Sequence, residues 1–534
     1  EYELDVPPGA VLVSRETKIL GTPVGRLEIA WTPSGGAERV LTRDISADPN
    51  RSARFGNRRG ESGHLSLRAR TAGNIDGSGT GSKFFEPIVF AGPATEATPT
   101  DGSTRRWETR PNIVVYLIDA LRADHLGYYG SRCGCSPNID QFASSAMVFK
   151  RAQAQSSWTR SAVASIFTGL LPQQHRTVDK NDVLSNEATT IAELLTGDGY
   201  QTAAVISNGN VARYFGFAQG FSYFKHLEQV EIGNHVVRSD DVNEAVFSWL
   251  DEDRGPAPFF LYIHTVDPHL PYDPPEPYRG GFAAGVDDPT TGSVEMVNEL
   301  AAHPERVTAE IVQQLDSLYD GEVAANDASF GELLSGLNER GLVYNTVIVV
   351  MSDHGEEFFD HRGWTHGNTL FVEMLDVPLL IRIPGVAPRS IDRIVQHVDL
   401  FPTLLEIAGV TSPEGVFGRS AIPLWTNGEG VEWVDRGLSH LDIRNRFGES
   451  WVDPRWKLLV RRLANGDMRT SLYDRHEDPM ELRDLAAERL DVVEELRSRY
   501  RAEVDGAGEG LPAVEVDEHR ESETEAQLRA LGYL

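Results

Sequence analysis

At 534 residues the chain exceeds what a single hydrophobic core usually accommodates, so two or three domains are expected. Fifty basic against 80 acidic side chains give a formal charge of −30, which disfavours nucleic acid, because its phosphates need a basic face. No apolar stretch is long enough to span a bilayer, and no signal peptide is evident.

The first hundred residues alternate short apolar runs, at 10–13, 27–31, 65–70 and 84–90, with clusters of Gly, Pro, Asn and Ser. This predicts an N-terminal β-sandwich accessory domain over residues 1–100. A Pro-, Thr- and Ala-rich stretch at 92–101 reads as the linker. From 109 to 430 apolar strands alternate with helical stretches such as 188–199 and 309–337, the pattern of an α/β domain with a parallel sheet flanked by helices. From 431 to 534 the pattern becomes α+β. Short strands around Trp451, 456–460 and 471–473 predict a small antiparallel sheet, and 481–504 and 523–531 look helical. No internal repeat is evident.

Two apolar, β-branched runs in the α/β region end in carboxylates. Residues 111–118 deliver Asp119, and 346–351 deliver Ser352-Asp353-His354-Gly355. Such runs are those of buried parallel strands, whose carboxyl ends border the ligand crevice of an open α/β sheet. An Asp after a strand is commonly a turn former or helix cap, and Asp-His-Gly is by itself a plausible turn. Their joint occurrence points instead to a site. Between them, Trp158-Thr159-Arg160 precedes an apolar helical stretch at 162–167, so Thr159 lies near a helix N-terminus that favours an anionic group. Two carboxylates, an imidazole and a hydroxyl suit a divalent cation. Cys133 and Cys135 are spaced too closely for an unstrained disulfide and read as free thiols without a catalytic role.

From about residue 111 to the C-terminus the chain resembles the sulfatase branch of the alkaline phosphatase superfamily. The segment Ile118-Asp119-Ala120-Leu121-Arg122-Ala123-Asp124-His125-Leu126-Gly127 is similar to the family's first metal-ligand segment, and Ser136-Pro137-Asn138 to its continuation. Thr168-Gly169 resembles the tail after the nucleophile, Asp267-Pro268-His269 the substrate-side histidine segment, and Ser352-Asp353-His354-Gly355-Glu356 the second metal segment. His366-Gly367, Val377-Pro378-Leu379, Val398-Asp399 and Leu472-Tyr473-Asp474 complete the order. Each motif is weak alone, and the collinear series is specific. The resemblance implies an alkaline phosphatase-like fold and hydrolysis of ester bonds.

The departures shape the expected chemistry. The position that formylglycine sulfatases fill with Cys is Thr159, and the modification signal's Pro and Arg are Ser161 and Val163, so no formylglycine is expected. Members with Thr or Ser nucleophiles mostly transfer phosphoryl groups, and their metal pattern matches Asp119, Thr159, Asp353 and His354. The family's Gly-Lys-x-His segment is replaced by Ser207-Asn208-Gly209-Asn210, which thins the cationic clamp and favours a less charged diester. The reading is therefore a metal-dependent hydrolase of phosphate diesters, phosphonates or related esters, using Mn, Zn or Ca and a Thr159 nucleophile. His269 and His366 are expected to hold the transferred group and protonate the leaving oxygen. Arg160, Asn208 and His264 are expected at the substrate. A second ion could be held through Asp267, His269 and His366, whose spacing departs from the two-metal pattern. His175, Asp360 and His361 fit structural or supporting roles equally well.

Two alternatives stand: a sulfuric ester hydrolase using Thr159 without formylglycine, and a catalytically silent, metal-stabilised binding protein. The substrate would be a small-molecule, glycan or lipid ester. The resemblance, with a chain that starts at Glu1 rather than Met, leads to the expectation of an extracytoplasmic protein whose leader is absent. Metal identity, leaving group and oligomeric state are not legible.

Overall fold

The strand Asn112–Ile118 is buried along its whole length, and so are Phe259–Thr265 and Thr346–Met351. A strand covered by helices on both faces has no polar side, so its sequence is a continuous apolar run rather than an alternation. In the computed structural model these strands belong to an eight-stranded sheet. The structure describes residues 110–227, 237–426 and 432–516, together with the backbone of seven N-terminal strands between Tyr2 and Ala91.

In chain order the sheet strands are β1 (Asn112–Ile118), β2 (Met147–Gln153), β3 (Gln201–Ile206), β4 (Tyr223–His226), β5 (Phe259–Thr265), β6 (Thr346–Met351), β7 (Asp376–Arg382) and β8 (Arg389–Gln396). Their spatial order is β4-β3-β5-β1-β6-β7-β2-β8. All neighbours are parallel except that β7 runs antiparallel to both β6 and β2. The expected parallel sheet is thus mixed by one reversed strand. The four central strands β3, β5, β1 and β6 point the same way, and the register pairs Ile206 with His264, and His264 and Met351 with Leu117. Whatever follows these strands emerges side by side.

Helix α1 (Thr159–Thr168) is buried at every residue and packs against α3 (His397–Ala408). Helix α2 (Ala309–Glu339) spans 31 residues and starts at Thr308, whose side chain accepts from the Ile311 amide. It braces the sheet through polar contacts. Asn326 accepts from the Tyr116 hydroxyl at 3.0 Å and donates to Thr265 Oγ1 at 2.9 Å and to the Asp267 carbonyl at 2.8 Å.

After the central sheet come four antiparallel strands, Gly437–Ile443, Arg446–Val452, Trp456–Arg462 and Met468–Asp474. Helix α4 (Leu490–Gly506) covers them, with Leu438, Trp451, Leu458, Leu472, Val493 and Leu496 in a common core that Leu171 joins from the segment after α1. This sheet belongs to the same compact unit as the central sheet. The other unit, Glu1–Asp101 with Pro384–Val386, holds a four-stranded and a three-stranded antiparallel sheet.

Two expectations are corrected here. The helix predicted over 481–504 begins only at Leu490, because Glu481 is left-handed, with φ at 57°, and the buried Lys457 ammonium binds its carboxylate at 2.8 Å. Cys133 and Cys135 form a disulfide rather than free thiols. Gly134 between them, at φ 71°, turns the chain so that the Cα atoms lie 5.3 Å apart, within bridging range. The helix predicted over 523–531 lies outside the described residues.

Candidate active site

Strand β1 ends in Asp119, and the chain then turns sharply at Ala120, an alanine at φ 55°. Left-handed geometry is unfavourable for a residue with a Cβ, and here three contacts hold it. The Ala120 amide donates to Asp353 Oδ1 at 3.2 Å, its carbonyl accepts from the Tyr319 hydroxyl at 2.7 Å, and the Leu121 amide donates to Ser352 Oγ at 2.9 Å. The turn after β1 is therefore built on the turn after β6, which places the two carboxylates together. Both are fully buried.

Asp353 Oδ1 also accepts from the His354 amide at 3.0 Å. Asp119 Oδ2 accepts from His264 Nε2 at 3.2 Å and from the Asn208 side-chain amide. Asp119 Oδ1 and Asp353 Oδ2 are buried without a hydrogen-bond donor. Buried carboxylate oxygens are seldom left without a donor or cation. The ligand atoms of Asp119, His264 and Asp353 lie within 4.8 Å of one another. His354 Nε2 is 3.4 Å from Asp353 Oδ2 and 3.8 Å from Asp119 Oδ1. This donor set, two carboxylates and two imidazoles around donorless oxygens, fits a divalent cation.

The electrostatics agree. Burial alone raises the Asp119 carboxyl, but the His264 hydrogen bond and the imidazoles of His269, His264 and His354 hold it far below the usual range. Burial and the Asp119 charge push Asp353 up, to about 6. One carboxylate held down and its neighbour pushed up is the response of two like charges sharing a dry site.

Thr159 is the first residue of α1, and its Oγ1 lies 3.1 Å from His354 Nε2. The other ring nitrogen, Nδ1, sits 2.9 Å from the Gly355 carbonyl, which assigns it the proton and leaves Nε2 a lone pair facing the Thr159 hydroxyl. The hydroxyl therefore meets an acceptor, the carboxylate pair and the positive end of the α1 dipole at one point.

His269 and His366 face this group. The His366 ring stacks on His354 with centroids 4.3 Å apart and meets His269 edge-on at 4.7 Å. Burial and the neighbouring imidazoles depress both, His269 to about 4, so both rings are neutral at pH 7. Their orientations are fixed from behind: His269 Nδ1 lies 2.6 Å from the Leu270 carbonyl, and His366 Nδ1 lies 3.0 Å from Glu356 Oε1.

The structure thus brings Asp119, Thr159, Asp353, His354, His269 and His366 together, and it re-places the three residues expected at the substrate. His264 joins the carboxylate cluster, braced by the Tyr262 hydroxyl 2.9 Å from its Nδ1. Asn208 donates to Asp119, and its own Oδ1 accepts from the Asn210 amide at 2.7 Å. Arg160 points away from the cluster: its guanidinium lies over the Phe215 ring and donates to the Asn210 and Asp182 carbonyls at 3.2 Å. A second ion through Asp267, His269 and His366 finds no matching cluster among the described residues. Asp267 is instead bound by the Ser239 amide at 2.8 Å and lies 3.9 Å from Arg238.

His361 pairs with Glu373 at 3.0 Å and stacks on Phe371, Asp360 pairs with Arg122 at 2.9 Å, and His175 contacts Ser165 at 3.1 Å behind α1. None of these contacts is to the carboxylate pair. Glu356, which holds His366 from behind, is absent from the candidates that the sequence offers. Its only signal was its place two residues after His354 in the second metal segment.

The family model described as Sulfatase matches residues 111–410, and that of the N-sulphoglucosamine sulphohydrolase C-terminal region matches 357–505. An arylsulfatase of Clostridium perfringens is 24% identical over 475 residues, covering 75% of this chain and 96% of that protein. An N-acetylglucosamine-6-O-sulfatase of Bacteroides thetaiotaomicron is 24% identical over 523 residues, covering 79% and 91%. Among solved structures, the phosphonate monoester hydrolase of Agrobacterium radiobacter superposes with a TM-score of 0.63 at 22% identity, covering 75% of this chain and 96% of that one. A structure solved with its substrate D-glucosamine-2-N,6-O-disulfate gives 0.64 at 20% identity, covering 75% and 98%.

Proposed function

This chain belongs to the sulfatase family of the alkaline phosphatase superfamily, a hydrolase of ester bonds, and from that premise we propose that it cleaves phosphate diesters, phosphonates or related esters with Thr159 as nucleophile. The observation that carries this reading is the Thr159 hydroxyl, 3.1 Å from His354 Nε2 at the head of α1, where formylglycine enzymes need an aldehyde hydrate. A formylglycine hydrate releases sulfate by collapsing to its aldehyde. An ordinary threonyl ester has no such route and must be cleaved by water at the central atom, which phosphoryl chemistry accommodates.

Asp119, Asp353, His354 and the Thr159 oxygen would hold a Mn, Zn or Ca ion, with His264 completing the set. Such an ion supplies Lewis-acid neutralisation of anionic oxygens and favours the ionised hydroxyl. Thr159 Oγ1 forms a bond to phosphorus as the bond from phosphorus to the leaving oxygen breaks. The leaving oxygen takes a proton from His366 or His269, whose protonated forms an anionic ester favours. Water then adds to phosphorus, giving a proton back to the imidazole that protonated the leaving oxygen, as the bond from phosphorus to Thr159 Oγ1 breaks and the ionised Thr159 oxygen is restored. Asn208 in place of a cationic residue favours a singly charged ester over a dianion.

The sulfatase relatives support a second reading, a sulfuric ester hydrolase using the same Thr159. Purified protein, stripped of metal and reloaded with Mn, Zn or Ca, is assayed on matched nitrophenyl sulfate, phosphate monoester, phosphate diester and phosphonate monoester. The diester or phosphonate should turn over best and Thr159→Ala should be inactive. Preference for the sulfate ester would establish the second reading instead. Residues 1–100, with their four-stranded and three-stranded antiparallel sheets, are proposed as an accessory β-sandwich, and the protein as extracytoplasmic.

A further inference from the structure

Cys133 and Cys135 flank Gly134 in the loop that leads from the Asp119 turn into the short helix Pro137–Ala143. Their bridge encloses a single residue, and loop-closure entropy makes such a bridge about half as restrictive of the unfolded chain as one closing a 15-residue loop. Stapling accounts for the pair poorly, and its surroundings account for it better. Cys135 is fully buried. Cys133 Sγ accepts from the Cys135 amide at 3.2 Å and from the Ser131 hydroxyl at 3.3 Å, donors that suit a thiolate. The His125 carbonyl faces both sulfurs, 3.4 Å from Cys133 and 3.2 Å from Cys135, and Asp320 Oδ1 lies 3.6 Å from Cys135. A disulfide has no proton to offer these oxygens, whereas thiols have.

The third group comes from another element. Asp320 stands on α2, and its carboxylate and the two sulfurs lie within 4.8 Å of one another. His125 Nδ1 sits 2.8 Å from Asp320 Oδ1, and Nε2 of the same ring is 3.5 Å from Asp316 Oδ1. The ring meets Tyr319 edge-on with centroids 4.8 Å apart, and the Tyr319 hydroxyl in turn donates to the Ala120 carbonyl at 2.7 Å. A carboxylate held from behind by a hydrogen bond is the usual form of an oriented metal ligand.

We propose that Cys133, Cys135 and Asp320, once the bridge is reduced, form a site for a zinc-like divalent cation, separate from the carboxylate and imidazole cluster at Asp119. A dithiol supplies the two electrons and two protons: its own sulfurs join, the Cys133–Cys135 bond breaks, and each cysteine becomes a thiol. The cation displaces both thiol protons and leaves a fourth tetrahedral position to water. Soft thiolates select zinc over manganese or calcium. The two states differ in what they join. The disulfide ties the loop to itself, whereas the cation ties it to α2, behind the turn that carries Asp119.

The test uses the full chain, freed of metal by a chelator, with one sample oxidised and the other reduced by a dithiol that is then removed under nitrogen. Cobalt(II) stands in for zinc and is read by sulfur-to-cobalt charge-transfer absorption, to which the sulfur-free cluster at Asp119 contributes nothing. The band should rise to one cobalt per chain in the reduced sample, stay absent from the oxidised one, and disappear as zinc displaces cobalt. Cys135→Ser should remove it. Asp320→Asn should keep both thiols, counted with a thiol reagent, and weaken cobalt binding roughly tenfold or more. No band from folded protein with both thiols free overturns the site, as does unfolding on reduction, since the thiols would then not be held together. A band of unchanged affinity in Asp320→Asn overturns the link to α2 and with it the site as assigned.

Discussion

A buried carboxylate that holds a histidine from behind can set that histidine's chemistry. Glu356 is fully buried, its Oε1 lies 3.0 Å from His366 Nδ1, and burial pushes it up to about 7. It orients the ring and supplies the countercharge that an imidazolium would need. Glu356→Gln should keep the geometry and lose the charge, lowering kcat roughly 10- to 100-fold with KM little changed, as for other supporting partners of catalytic imidazoles. A drop confined to KM would show that Glu356 serves binding alone. Asp353 acts more directly, because its donorless Oδ2 faces Asp119. Asp353→Asn should cut activity more than roughly 100-fold, beyond the usual effect of a supporting partner, and lower the metal content measured by elemental analysis. Full metal occupancy with lost activity would move Asp353 from ligand to positioning residue.

At the scale of elements, helix α2 holds the fold around the site through a buried acid. Asp327 accepts from the Asn138 and Ile139 amides at 2.9 and 2.7 Å and so caps the short helix Pro137–Ala143 from a neighbouring element. Burial outweighs these bonds and raises its carboxyl from 3.8 to about 7. Folding therefore takes up a proton between those values, and the associated stability is complete at low pH and lost as pH rises through 7. Measured against Asp327→Asn by denaturant unfolding, wild-type stability should fall by a few kcal/mol between about pH 4 and 7 and then level off. A flat difference would mean the carboxyl is ionised throughout.

The elements differ in how far the sequence revealed them. The central strands β1, β5 and β6 were legible because burial on both faces leaves an unbroken apolar run, and their polar ends stood out against it. The gathering of His264 and Asn208 around Asp119 was not, since it depends on strand order: β3 and β5 lie next to β1 only in the folded sheet. Arg160 stands next to Thr159 in the chain, but successive side chains at a helix start diverge, and this one stacks on Phe215. The α4 start was lost for a local reason, the left-handed Glu481, and the disulfide because Gly134 permits a turn that residue spacing alone discourages.

For the molecule as a whole, the carboxylate pair links stability to metal and pH. Without a cation, Asp353 must ionise beside Asp119 in a buried site, and its raised value of about 6 against 3.8 unfolded means that stability falls as pH climbs between the two. With a divalent ion bound, both carboxylates are charged and neutralised together, so that loss is removed. Binding adds a further term that grows with free metal, about 2.7 kcal/mol at a hundredfold excess over Kd. The melting temperatures of chelated and reloaded protein should therefore lie close together at pH 5 and separate by several degrees at pH 7.5. The metal-free Asp353→Asn protein should not share the high-pH loss, because it carries one buried charge in place of two. If the gap between loaded and stripped protein were constant with pH, the two carboxylates would not be competing for charge, and the case for a cation between Asp119 and Asp353 would fail with it.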